Sequence, residues 1–207
     1  MKSFIKDILR QKYRFAFNKP PYVRRILITE GILGLDEALC LHKLACEVED
    51  GCIVEVGSYR GKSTVALATG SQQGHAVPVF AIDPHESFVG PVGGVFGPQD
   101  RSAFFSNMLR TSCAESVRLI NLPSQTVVKI WSHKIGLLWL DGDHNYDAVA
   151  SDFFGFVPFV VPGGYIALHD SLDKDLGPAQ VIAQALETGN YEKIIQVDLT
   201  TVLQKKA

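Results

Sequence analysis

Short apolar runs recur along the chain, and each stops at a glycine, an acid or a proline. "CIVEVG", "VPVFAID", "SVRLINLP", "IGLLWLD" and "GGYIALHD" are such runs. They are bounded by turn signals and apolar at consecutive positions, so they predict strands buried on both faces. Between them the pattern changes to helical spacing. "LDEALCLHKLACEV" follows this spacing behind Asp36, an expected N-cap, and "KSTVALATG" predicts a helix closed by Gly70. "DRSAFFSNMLRTS", "YDAVASDFFGFVPFV" and "GPAQVIAQALETG" predict three more. Two last runs, "YEKIIQVD" and "TTVLQKK", come with no helix between them. They predict a hairpin, with one strand antiparallel to the rest.

Strands alternating with helices predict an α/β fold, a mostly parallel sheet with helices on both faces. In such doubly wound sheets a ligand sits beyond the carboxyl ends of the strands, where strand order reverses. The strand ends to inspect are Gly57, Asp83, Pro123 with Ser124, Asp141, and Asp170.

Composition adds limits. At 207 residues, 46% hydrophobic and 20% charged, the chain fits one globular domain with a substantial core. Its formal net charge of −2 gives no argument for a nucleic-acid partner. The charge is uneven, however. Residues 1–25 hold eight basic residues against Asp7 alone, a net +7, which leaves −9 for the rest. Residues 1–30 are therefore read as a basic extension and 31–207 as a single domain, with "NKPPYV" as the break between them. Phe4, Ile5, Ile8, Leu9 and Tyr13 interleave the charges. Such a segment suits an anionic membrane surface or a neighbouring subunit of a homo-oligomer, or it folds as a solvated helix on the domain. Cys40, Cys46, Cys52 and Cys113 form no Cys-x-x-Cys pair and read as free thiols in a reducing compartment. With no apolar stretch long enough for a secretory signal or a span, the expected location is cytoplasmic.

Three ligands compete for the first loop, "EVGSYRGKST". A dinucleotide fingerprint needs a second glycine where Tyr59 stands, and its bulk disfavours a pyrophosphate. A phosphate-cradling loop needs four residues before Gly-Lys-Ser/Thr, and here there are three. A nucleotide-binding enzyme of that kind remains the rival reading. A nucleoside ligand without phosphates, such as S-adenosylmethionine, needs only a tight turn at Gly57 and Gly61 and an acid for the ribose, Asp83.

Three blocks, "IVEVGSYRGKSTVALA", "VFAIDPHE" and "LLWLDGDHNYDAVASDFFGFVPFVVPGGYIALHDS", resemble the class I S-adenosylmethionine-dependent methyltransferases. The similarity is to the small branch that includes catechol-type and macrolide-sugar O-methyltransferases, and it spans roughly residues 30–175. That resemblance implies a Rossmann-like seven-stranded sheet of order 3-2-1-4-5-7-6, its last strand antiparallel. It also implies methyl transfer to an oxygen of a small or glycosyl acceptor. Glu55, Gly57, Ser58, Gly61 and Ser63 fall on the implied cofactor loop, Asp83 on the ribose acid, and Ser124 and Gln125 on the adenine contacts. Here the chain departs from the family, with "NLPSQT" after the third strand. A non-catalytic cofactor-binding domain of the same fold is the rival from another class.

The turn "DGDHNY" after the fourth strand poses its own question. Its Asp-x-Asp-x-Asn spacing (Asp141, Asp143, Asn145) is not a calcium loop, because Tyr146 occupies the glycine position and a strand precedes it. Asp143 or Asn145 can cap the helix that follows. Asp141 needs a partner, since an ionised carboxylate at the end of an apolar strand is costly alone. The fifth strand ends in His169 and Asp170, and adjacent strand ends can place Asp141 and Asp170 around one cation, with His169 as a possible third ligand. Oxygen donors with an imidazole suit Mg²⁺ or Mn²⁺. The resemblance implies the same metal site and makes His144 the base; as a residue alone, His144 also reads as a surface-turn histidine. Asp141 doubles as a catalytic and cofactor-contacting group. Residues 86–100 are rich in Gly and Pro and long for a connection, which suggests a substrate loop with His85 at its base.

Overall fold

The computed structural model describes residues 19–90 and 94–206. Seven strands form one sheet: β1 Cys52–Val56, β2 Val79–Ile82, β3 Val117–Ile120, β4 Ile135–Leu140, β5 Val160–Leu168, β6 Tyr191–Val197 and β7 Thr200–Lys205. Their spatial order is β3-β2-β1-β4-β5-β7-β6. The first five strands pair in parallel, and β7 is antiparallel to both of its neighbours. This is the predicted order, with the predicted last strand reversed. The connection through α6 (Gly177–Glu187) carries the chain from β5 to the edge strand β6, and the hairpin brings β7 back between them.

Alternating side chains divide the apolar strands between two cores. Ile53, Leu137, Trp139, Ala167 and Val202 face α1 (Pro21–Ile28), α2 (Leu35–Cys46), α3 (Lys62–Gln73) and α4 (Pro98–Arg110). Val54, Leu138, Leu140, Ile166 and Leu203 face α5 (Tyr146–Phe156) and α6 (Gly177–Glu187). Buried on both sides, these strands need no polar face, which is why they read as continuous apolar runs.

Two sequence readings are corrected in detail. The helix predicted behind Asp36 starts two residues earlier than an Asp36 N-cap requires, and its N-cap is Gly34. Glu37, not Asp36, accepts the hydrogen bond from the Gly34 N–H at 3.1 Å. The two prolines of "NKPPYV" do not only break the chain: Pro21 opens α1, where its missing N–H costs no hydrogen bond. Within the segment read as an extension, α1 buries Val23 and Ile26 against the domain. Burying an Ile of this kind contributes about 1.5–3 kcal/mol. The basic residues before Lys19, with the membrane or subunit contact expected of them, lie outside the described residues. Among the described residues no helix is long and apolar enough to cross a membrane, and all four cysteines are free thiols.

Candidate active site

The backbone ladder continues past the strands and lines up their ends. Gly57 N–H donates to Ile82 O, Asp83 N–H to Ile120 O, Asp141 N–H to Val56 O and His169 N–H to Leu140 O, at 2.9–3.2 Å. One extra rung on each strand therefore sets Asp83, Gly57, Asp141 and His169 in a row along the rim. Adjacent strands stand about 4.8 Å apart, so the row brings chemistry from four distant segments within reach.

On the β1 side the rim is a rigid turn. Gly57 has φ +86°, and a Cβ there would lie 2.2 Å from Asp141 O. Only glycine fits between this loop and the end of β4. Asp83 pins the turn from below: its Oδ2 accepts from Ser58 N–H at 2.9 Å and Tyr59 N–H at 2.8 Å, and its Oδ1 from His85 N–H at 2.8 Å. Oδ1 keeps one lone pair for a further donor. His85 is buried, with Nε2 2.8 Å from Tyr59 O; it braces the loop. Asn121 in "NLPSQT" donates to Asp83 O and Pro84 O, fixing the end of β2. Arg60 reaches Asp100 at 2.8 Å and Glu30 at 2.9 Å, tying the loop to α4 and to the chain after α1.

Glu55 sits fully buried in β1, where burial raises its carboxyl to about 8 against the hydroxyls of Ser63 and Thr64 that bond it. Thr64 Oγ1 donates to Oε2, while Glu55 Oε1 and Ser58 Oγ are buried without a partner. Ser63 thus faces Glu55. Two buried oxygens beside a glycine turn thus lack a hydrogen-bond partner within the protein. A nucleoside with an amino-acid tail, such as S-adenosylmethionine, fits this cradle. Beyond β3, Ser124 is buried and Gln125 exposed. Ser124 bonds Asp152, whose carboxyl burial raises to about 6.

On the β4 and β5 side the rim is charged. His169 lies opposite Asp141 by the strand register, on the same face of the sheet. Regular strand alternation would send Asp170 to the opposite face. Its φ of +47°, a left-handed conformation uncommon outside glycine, lets it rejoin the cluster. One ligand atom from each of Asp141, His144, His169 and Asp170 lies within 4.8 Å of the others. His144 Nε2 is 2.5 Å from Asp170 Oδ2; His169 Nδ1 is 3.1 Å from Asp141 Oδ1 and 3.1 Å from Asp170 Oδ2. A small pocket opens here, lined by Asp141, His144, Asp152 and His169 among others.

These contacts move the titrations apart. His169 is raised to about 12: burial opposes its charge, but Asp141, Asp170 and Glu37 outweigh it. Its two histidine partners hold the Asp170 carboxyl well below the usual range. Burial pushes Asp141 up despite His169, and Asp170 raises His144 against the opposing pull of burial. Even so, the Nδ1 atoms of both histidines are buried without a hydrogen-bond partner. Two carboxylates and two imidazoles with unmet nitrogens are a donor set suited to a divalent cation.

The sequence singled out the glycine turn, Asp83 and the charged cluster, but not Thr64, Asn121, Glu37 or Asp152. Glu37 stands on α2, 3.3 Å from His169 Nε2, and sequence spacing showed it only as part of a helix start. Of residues 86–100, the described parts lie beside the Gly57 turn. Phe88–Val89 and Val95–Phe96 pair as a small antiparallel ribbon, and Phe96 meets Tyr59 edge-on with ring centroids 5.1 Å apart.

A profile of the methyltransferase domain family matches residues 54–171, which includes every strand end of the row. Solved structures share the fold across nearly the whole chain. The SAH-bound Podospora anserina methyltransferase PaMTH1 is 15% identical, with 97% of this chain and 88% of that one covered and a TM-score of 0.65. The Bacillus cereus O-methyltransferase in complex with SAH is 14% identical, with 91% and 92% covered and a TM-score of 0.64. The calicheamicin methyltransferase CalS11 is 14% identical, with 81% and 77% covered and a TM-score of 0.66. The chain belongs to the methyltransferase domain family, in the S-adenosylmethionine-dependent class that its sequence blocks resemble.

Proposed function

We propose that this chain methylates a hydroxyl oxygen of a small, sugar-like acceptor, with a divalent cation at the β4 and β5 ends. The single observation that carries the reading is the Asp170–His144 pair, a base with one nitrogen held and the other unpartnered beside the small pocket. Asp170 accepts the Nε2–H of His144, which leaves Nδ1 as a lone pair without a partner. An imidazole so oriented takes a proton from an acceptor hydroxyl set against it.

S-adenosylmethionine supplies a methyl group made electrophilic by its sulfonium, so the protein must align an oxygen with it and remove one proton. The Gly57–Gly61 turn, the last lone pair of Asp83, and the unpartnered oxygens of Glu55 and Ser58 would hold the donor. Ser124 and Gln125 stand at the end of β3, where the adenine would lie. Asp141, His169 and Asp170 would hold the cation, which when bound lowers the pKa of an acceptor hydroxyl. Exposed Phe88, Val89 and Val95 on the small ribbon offer an apolar edge to the acceptor. Support for a glycosyl acceptor comes from a structural neighbour described as a TDP-rhamnose 3'-O-methyltransferase.

The test is methyl transfer from S-adenosylmethionine to a panel of hydroxylated sugars and catechols, with and without EDTA. Transfer that EDTA abolishes and Mn²⁺ or Mg²⁺ restores is the expected result. Full activity in EDTA removes the cation from the reading and leaves Asp141 as a donor contact. Transfer only to nitrogen or carbon acceptors overturns the choice of oxygen.

A further inference from the structure

Glu37 is nearly fully buried, yet it lies on a helix far in sequence from the rim. Its carboxylate has three contacts. Oε2 accepts from Gly34 N–H, while Oε1 accepts from Thr200 Oγ1 at 2.8 Å and stands 3.3 Å from His169 Nε2. A helix start needs only the first. The other two aim a buried negative charge at one nitrogen of the histidine whose other nitrogen faces Asp141 and Asp170.

The opposite side of that ring is unmet. His169 is 9% exposed, and its Nδ1 lies 3.1 Å from an oxygen of each aspartate but forms a directed hydrogen bond to neither. A proton on Nδ1 can point at one oxygen only, and the two carboxylates repel across the same gap. A dication meets Nδ1 and both carboxylates together. For that, Nδ1 must give up its proton and offer a lone pair, while Nε2 keeps its own. A carboxylate on Nε2 enforces this tautomer and raises the basicity of the ligating nitrogen.

Resting on the cation reading above, we infer that Glu37 is a positioning residue that presents His169 Nδ1 as a nitrogen ligand, and that this makes the site prefer a transition dication over Mg²⁺. Mg²⁺ favours an oxygen shell and keeps its waters, whereas an imidazole gains more with Mn²⁺ or Zn²⁺.

The informative variant is Glu37→Gln. An amide side chain has one acceptor oxygen. If Gly34 N–H keeps it, the amide NH₂ faces His169 Nε2 and favours the other tautomer, with the proton on Nδ1. Thr200→Val serves as the control, because it removes a neighbour of Glu37 while leaving its charge on His169. Mn²⁺ affinity is measured by electron paramagnetic resonance, with Mg²⁺ as competitor. Thermal melting monitors folding, and ¹⁵N shifts of the histidine rings in Zn²⁺-loaded protein report the tautomer. Wild type and Thr200→Val should bind Mn²⁺ at least tenfold more tightly than Mg²⁺, with His169 protonated on Nε2. Glu37→Gln should lose about 10–100-fold in Mn²⁺ affinity, a larger loss than for Mg²⁺, while staying folded. Equal Mn²⁺ affinity in wild type and Glu37→Gln overturns the role of Glu37 and leaves the cation reading standing. Mg²⁺ binding as tight as Mn²⁺ overturns the preference. No binding of either ion to the wild type removes the cation reading itself.

Discussion

The two halves of the rim solve opposite problems. At the Gly57 turn the backbone is held by partners within the protein: Asp83 takes three backbone amides, and His85 and Asn121 brace the same strand ends, while Glu55 Oε1 and Ser58 Oγ stay unpartnered. Across the row, four ionisable groups crowd together, and two histidine nitrogens have no hydrogen-bond partner. The first half is shaped before any ligand arrives; the second is left with unmet charge and lone pairs. A donor recognised by outline suits the first. Chemistry that moves a proton suits the second, because titration requires groups whose partners are incomplete.

Substitutions that exchange these properties should break the comparison. The largest effect is expected at the charged half, where His144→Ala should lower turnover about a hundredfold to ten-thousandfold with donor binding intact. Single-turnover kinetics alongside calorimetry with S-adenosylmethionine measure both quantities; an unchanged rate returns His144 to a surface-turn role.

Next comes Gly57→Ala. The new Cβ meets backbone at 2.2 Å in a left-handed conformation, so the loop and the end of β4 must separate. Donor affinity should fall by about a hundredfold or more, consistent with strain of roughly 3 kcal/mol. A smaller loss than at Asp83 would show that the turn adapts.

Asp83→Asn follows, at about 1–3 kcal/mol of donor affinity, because an amide oxygen bonds the loop amides more weakly than a carboxylate does. Calorimetry checks this value. Equal loss in the melting temperature of ligand-free protein would make Asp83 structural alone.

The last effect is on the stability of the ligand-free fold and not on donor binding or turnover, and it concerns pH. Glu55 is raised to about 8 from 4.5 by burial, so the folded state retains a proton that the unfolded chain releases. Its contribution to stability is fully present below about 4.5 and is lost as pH rises through about 8. Glu55→Gln should flatten the fall in stability between those values by up to about 1.4 kcal/mol per pH unit, one proton's worth. Denaturant melts at pH 5 and pH 8 read this directly, and parallel curves for the two proteins would refute it.

Local pattern was enough to reveal the order of elements and most strand ends. Five continuous apolar runs broken by helical spacing leave little choice but a covered parallel sheet, because each strand must bury both faces. Gly57 and Asp141 were legible for the same reason, as polar or permissive residues interrupting runs that otherwise have no need of them. What each rim residue does was decided elsewhere. Asp83 reads as a ribose acceptor from its position, whereas the three backbone amides that it also takes could not be read there, because the fold decides which amides come near. Asp170 required a left-handed backbone to reach its partners, and Glu37 reached His169 only because the start of α2 lies beside the residues that follow β5 and open β7. Pairings between residues more than a hundred positions apart leave no periodicity in the chain. They arise when the sheet register fixes which ends are neighbours, and hydrogen bonding and charge then act over distances of a few ångströms.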